Sequence, residues 1–140
     1  MLRGKLHCVA YLLLVLTGCR APDAVFFPQH VAGNQVFLAL HTAQLIEADG
    51  CLWLRTDTSM HLAIWPNTVA PRWNGSNWEV LDSTGRVLAV TGRTVVVVGG
   101  ELPRADDEQV PRGVTDLVKV PIPERCAAND FWKVEGIRAN

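Results

Sequence analysis

The stretch that decides the fold is Thr94-Val95-Val96-Val97-Val98-Gly99-Gly100. Consecutive β-branched residues favour a strand, and a strand that is apolar on both sides must be covered on both faces. The two glycines that follow permit a sharp bend or a bulge, which barrels use at their corners. The stretch therefore predicts a central strand that bends at its end.

Short strand signals lie on both sides of this valine run. Val36, Leu38 and Leu40 alternate along the chain, and further strand-like segments separated by turn residues cover residues 51–56, 60–65, 78–81 and 86–90. Residues 35–140 contain no convincing long amphipathic helix with caps. Many short strands at close spacing indicate a barrel or a sandwich. We predict an all-β fold, a small OB-like barrel of five or six strands, with a small β-sandwich as the alternative.

The hairpin signal Trp73-Asn74-Gly75-Ser76-Asn77-Trp78 is the best candidate for ligand contact. Asn-Gly tolerates the positive φ of a two-residue type I′ turn, which would pair Trp73 with Ser76. Indoles beside amide side chains suit stacking on sugar rings or peptide side chains, so the candidate binding residues are Trp73, Asn74, Asn77 and Trp78. The alternative, which we prefer, is that the indoles clamp the hairpin by cross-strand packing.

Charge and length exclude some classes of function. The 140-residue chain has room for one domain, and its formal net charge is −1. Removal of Arg3 and Lys5 with a leader would bring this to about −3. Because proteins that grip phosphate backbones usually carry a basic face, nucleic acid is not an expected partner.

The N-terminus has the three parts of a secretory signal. Arg3 and Lys5 provide the positive region, and residues 9–16 are apolar. A helix of that length covers about 12 Å, against about 30 Å of hydrocarbon in a bilayer, so it cannot be a permanent span.

Leu16-Thr17-Gly18-Cys19 resembles the lipobox of bacterial lipoproteins. The resemblance implies that the signal peptide 1–18 is removed and that Cys19 carries the lipid, which anchors the protein to a membrane. It implies an extracytoplasmic location: the outer membrane, facing the periplasm, in a Gram-negative cell, because Arg20 follows the cysteine, or the cell surface in a Gram-positive one. We expect a lipidated tether over 19–34, a single β domain over 35–140, and docking of Phe26 and Phe27 on that domain rather than in the membrane interface.

A second resemblance covers most of the mature chain. It is similar to small uncharacterised β-domains of secreted bacterial proteins, through turns, a cysteine and packing aromatics at residues 65–66, 82–87, 92, 99–101, 121–126 and 131–132. The similarity supports the fold and the location and implies no activity.

Cys51 and Cys126 are the cysteines that remain after leader removal and lipidation. An even pair in an oxidising compartment predicts a disulfide, and two free buried thiols are the alternative.

The remaining polar residues predict no catalytic centre, metal site or cofactor. His41 and His61 are too few for a closed metal site, and we interpret both as ordinary surface or core residues.

We expect a lipid-anchored envelope protein with a binding or structural role toward a protein or a cell-wall glycan. The alternative is a small extracytoplasmic hydrolase or metal-dependent enzyme that uses His41 or His61 with the acidic run 106–108. An enzyme should bring a histidine and carboxylates together in one pocket, whereas a binding module should expose an aromatic patch.

Overall fold

The computed structural model describes residues 22–30, 36–102, 117–118 and 120–138. Nine strands make up nearly all regular structure in these residues: β1 (Gln29–His30), β2 (Ala39–Ala48), β3 (Cys51–Arg55), β4 (Met60–Pro66), β5 (Val69–Trp73), β6 (Trp78–Asp82), β7 (Val87–Val90), β8 (Thr94–Leu102) and β9 (Phe131–Arg138). A single 3-10 turn, Glu124–Cys126, precedes β9. The all-β prediction is confirmed.

Five of the strands form a closed ring. β3 pairs antiparallel with β2 and β4, β8 pairs antiparallel with β2 and β9, and a parallel pairing of β4 with β9 completes the circle. Five or six strands were predicted, whereas nine are described: two of the predicted strands, β6 and β7, lie outside the ring, and β9 of the ring was not predicted. The valine run lies in β8, between two neighbours, and the register shifts between Val98 and Gly99 as its glycines predicted.

Strand alternation gives the ring an apolar interior. Each ring strand contributes two buried residues to one cluster: Ala43, Leu45, Leu52, Leu54, Ala63, Trp65, Val95, Val97, Trp132 and Val134. A second sheet, of β5, β6 and β7, adds Trp78, Val80 and Ala89 to the same cluster. It packs at the end of the ring where β2 ends and β3 begins, and we call this the covered end.

A second apolar cluster lies on the outer face of β3 and β4. Its members are Cys51, Trp53, Leu62, Ile64, Leu102, Cys126, Ala128 and Phe131. Cys51 and Cys126 are disulfide-bonded, with Cα atoms 5.8 Å apart and a sequence separation of 75. The bond holds the segment before β9 against the ring.

Residues 22–30 lie against the domain rather than in a free linker. The Phe26 N–H donates to the Gly50 carbonyl at 2.7 Å, and the Phe27 ring stacks on Trp65 with centroids 5.1 Å apart. β1 then pairs parallel with the end of β4. Both phenylalanines therefore dock on the domain as expected, but the folded part of the chain includes residues that we had assigned to the tether. Residues 1–21, with the leader, the lipobox and Cys19, lie outside the described residues.

Candidate functional site

The predicted hairpin site has a different turn from the one its sequence suggested. Trp73 pairs directly with Trp78 rather than with Ser76, so the loop has four residues, and the two-residue turn is wrong. The Asn74 side-chain oxygen accepts from the N–H groups of Ser76 and Asn77 at 3.0 and 2.9 Å. This Asx turn competes with type I′ geometry, and within the loop only Gly75 has a positive φ.

The contacts of the hairpin favour packing. Trp73 and Trp78 have ring centroids 5.6 Å apart, and Trp78 is buried in the ring cluster while Trp73 is half-buried against it. The Asn74 amide donates to Glu79 at 2.8 Å, and Arg72 pairs with the same carboxylate at 2.6 Å. The hydrogen bonds from Asn74 and Arg72 hold the pKa of Glu79 below its usual range. Cross-strand packing thus accounts for most of this site, and ligand binding by its residues stays a prediction.

The opposite end of the ring, where β2 and β9 begin, brings together side chains that the sequence analysis treated separately. We call it the histidine end, defined by His41, His61, Trp132 and Glu101. His41 stacks on Trp132 with centroids 4.4 Å apart and planes 22° apart. His61 meets His41 edge to face at 5.1 Å. All three rings lie inside the ring of strands, because His41 pairs with Val97, His61 with Leu54 and Trp132 with Ala63.

The polar atoms of the histidine end are incompletely paired. His61 Nε2 lies 4.0 Å from a carboxylate oxygen of Glu101, whose side chain is 62% exposed. His41 Nε2 and Trp132 Nε1 are buried without a hydrogen-bond partner among the described residues. Burial lowers the pKa of His41 from its ordinary value of 6.5, the nearby His61 lowers it further, and Glu101 opposes them. His41 is therefore neutral at neutral pH.

The geometry limits the chemistry that these residues can perform. Ser59 Oγ lies 3.5 Å from His61 Nδ1, which resembles a nucleophile beside its base. However, Ser59 also contacts Thr56 Oγ1 at 2.9 Å and donates its N–H to that oxygen at 3.1 Å, as a turn-forming residue does. Among the described residues no group of three or more ligands could hold a metal ion, and the acidic run 106–108 lies outside them.

Exposed aliphatic side chains lie at alternate positions on β2 and the segment before it, and Leu40 pairs with Val98 of β8. Together with the outward valines of β8 we call them the aliphatic stripe, defined as Val36, Leu38, Leu40, Val96 and Val98. The first three are 63%, 77% and 54% exposed, and the two valines of β8 are half-buried. Both faces of β8 were expected to be covered, so the outer face is less covered than predicted. The large exposed apolar side chains of the described chain are aliphatic rather than aromatic.

The N-terminal segment reaches the domain at the covered end. Pro22, Asp23, Glu47, Asp49, Trp78 and Arg125 are among the residues that line one depression there. In the described residues, no helix is long and apolar enough to cross a bilayer. Comparison with models of known protein families, with curated proteins and with solved structures found no match.

Proposed function

We propose that this protein is a lipid-anchored component of the bacterial cell envelope that binds a protein partner through the aliphatic stripe. The lipobox at residues 16–19 supports the anchor. The disulfide between Cys51 and Cys126 supports an extracytoplasmic location, because disulfides form and persist in oxidising compartments.

The observation that carries the binding role is the exposure of the stripe. Val36, Leu38 and Leu40 each expose more than half of their surface along one strand and its approach, beside half-buried Val96 and Val98. Single exposed apolar side chains are ordinary, whereas a contiguous group marks an interaction surface.

The position of the stripe favours a protein over the bilayer as its partner. Pro22, three residues after Cys19, lies at the covered end beside the β2–β3 turn. The stripe begins at the other end of β2, a ten-residue strand that spans about 30 Å. A lipid on Cys19 would therefore join the domain through Pro22, at the end opposite to the start of the stripe, which favours an upright domain that presents the stripe away from the membrane.

A glycan partner at the hairpin has less support. The Asn74 side chain is engaged by Ser76, Asn77 and Glu79, and Trp78 is in the core. Of the two indoles, only that of half-buried Trp73 offers surface to a sugar.

A small hydrolase is the second candidate, favoured by one observation: His61 lies between Ser59 and Glu101. We place it second because Thr56 engages both the hydroxyl and the N–H of Ser59. Ester hydrolysis by the purified protein that is lost in His61→Gln and in Ser59→Ala would reverse this order.

The anchor is tested in cells by labelling with radioactive palmitate. Wild type should take up the label and partition into detergent, while Cys19→Ser should do neither. An unlabelled wild type would refute the anchor without bearing on the stripe.

The stripe is tested by site-specific photocrosslinking of the anchored protein. A photoreactive residue at Leu40 should give one discrete protein adduct that mass spectrometry identifies, and Leu38→Asp should abolish it. Val120 is the matched control position because it is also 54% exposed. Adducts at both positions would indicate nonspecific contact, an adduct with lipid would indicate the bilayer, and either result would overturn the proposal.

A further inference from the structure

The histidine end holds a half-buried imidazole, that of His41, with one buried nitrogen where a proton has few partners. His41 lies inside the ring, its Nε2 is buried, and no described residue accepts a hydrogen bond from that nitrogen. A second proton on the imidazole would turn this nitrogen into a buried donor without an acceptor, which is costly.

The charged groups around His41 do not stabilise a second proton on its imidazole. β4 contributes His61 in edge-to-face contact, and β8 contributes Glu101, whose exposed carboxylate is screened by solvent. From β9, Trp132 faces His41, whereas Lys133 lies over the Phe37 ring and pairs with Glu135. From β3, Leu54 faces the interior and Arg55 is hydrogen-bonded to Gln44.

We propose that the histidine end is a proton-sensitive latch, closed by the stack of neutral His41 on Trp132 against His61 and opened when His41 is protonated. In the open state, solvent reaches His41 Nε2 and Trp132 Nε1, and the starts of β2 and β9 separate. The lowered pKa of His41, caused by burial and by His61, agrees with this geometry. A π-face contact with Trp132 acts in the opposite direction, because an aromatic face attracts a cation.

The latch has a consequence for binding, and this consequence alone rests on the proposed function. Leu40 of the stripe directly precedes His41 in β2, with its side chain on the opposite face. Opening the interior at His41 therefore displaces the stripe, so mild acid should release the protein partner.

The test is an NMR titration of the full chain in detergent micelles, from pH 8 to pH 5. The His41 imidazole should titrate below 6.5, and the Trp132 indole N–H resonance should change with the same midpoint. Amide exchange in β2 and β9 near the histidine end, corrected for its intrinsic pH dependence, should accelerate by at most about tenfold per pH unit as the pH falls from 6.5 toward that midpoint, and should level off below it.

Two variants sharpen the test. His41→Phe retains a ring against Trp132 but cannot take up a proton, so the acid transition should disappear. His61→Phe removes an imidazole that lowers the pKa of His41, so the His41 midpoint should move upward. A wild-type His41 midpoint at or above 6.5, or a Trp132 resonance that does not follow it, would overturn the latch even if crosslinking at Leu40 succeeds. Failure of the crosslink alone would overturn only the proposed partner.

Discussion

The two ends of the ring are built from the same strands but filled with different chemistry. At the covered end, the interior residues Leu45, Leu52 and Trp65 are fully buried beneath a second sheet, and a disulfide lies nearby. At the histidine end, the interior contains two imidazoles and an indole, and among the described residues His41 Nε2 and Trp132 Nε1 lack hydrogen-bond partners there, as Trp65 Nε1 does at the covered end. Strand alternation decides only that a side chain points inward. What surrounds the position decides whether a polar group there is stable.

This difference predicts that the two ends contribute differently to the pH dependence of folding stability. The interior apolar cluster at the covered end binds no protons, so its contribution to folding should not change in mild acid. The histidine end holds the half-buried, titratable His41, so its contribution should be lost in mild acid. Four measurements break or sharpen this contrast, in order of decreasing expected effect on stability.

The largest effect should follow removal of the disulfide. In the chain-entropy description, closing a loop of this length (sequence separation 75) stabilises the folded relative to the unfolded chain by about 4.5 kcal/mol, before native strain is counted. Denaturant unfolding of Cys51→Ser/Cys126→Ser should show a loss of this order. Titration of thiols in the unreduced, unfolded, processed and lipidated wild type is the control, because two reactive thiols would show that the bond does not form.

The hairpin tryptophans should differ from each other. Trp78→Ala should destabilise the protein by about 3–5 kcal/mol, because it empties a large core site. Trp73→Ala should cost less, since Trp73 is only half-buried. Thermal and denaturant unfolding of both variants measures the difference. Equal small losses would show that neither indole is in the core and would restore the hairpin as a binding site.

Some features of the fold could be predicted from local signals in the sequence. Local signals were sufficient for the all-β class, the irregularity at Gly99 and the pairing of Cys51 with Cys126, but β9 of the ring was not among the predicted strands. Gly99 illustrates the physical basis of one of them: a Cβ there would lie 1.9 Å from the Lys133 carbonyl oxygen, so the bulge requires glycine.

The features that the sequence analysis missed depend on contacts between distant strands. Nothing local to Asn74 indicates that its side chain closes a four-residue loop by capping two N–H groups. Nothing local to His41 indicates that His61 and Trp132 will contact it, since this requires ring closure and a specific register on several strands. Phe27 similarly needs Trp65 as a neighbour before it can dock.

The third effect concerns pH. Because the pKa of His41 is lower in the folded than in the unfolded chain, the unfolded chain takes up the proton first as pH falls below 6.5. Stability from this group is complete above 6.5 and declines toward the folded pKa, by no more than about 1.4 kcal/mol per pH unit. Unfolding free energies of wild type and His41→Phe at pH 7.5 and 5.5 measure the difference. Parallel behaviour of the two proteins would remove the contrast between the ends.

The smallest effect on stability should come from a substitution in the aliphatic stripe. Two leucines, one just before β2 and one within it, provide a matched pair. Leu38, just before β2, is 77% exposed, whereas Leu45 within β2 is fully buried at the covered end. Leu38→Ala removes few packed atoms, so unfolding free energy should change by less than about 0.5 kcal/mol. Leu45→Ala should cost about 2–5 kcal/mol, because a cavity remains in the core. Denaturant unfolding compares the two, and partner crosslinking from Leu40 should weaken in Leu38→Ala while stability stays constant. A large loss of stability in Leu38→Ala would mean that the stripe is already covered within the folded chain and is not available to a partner.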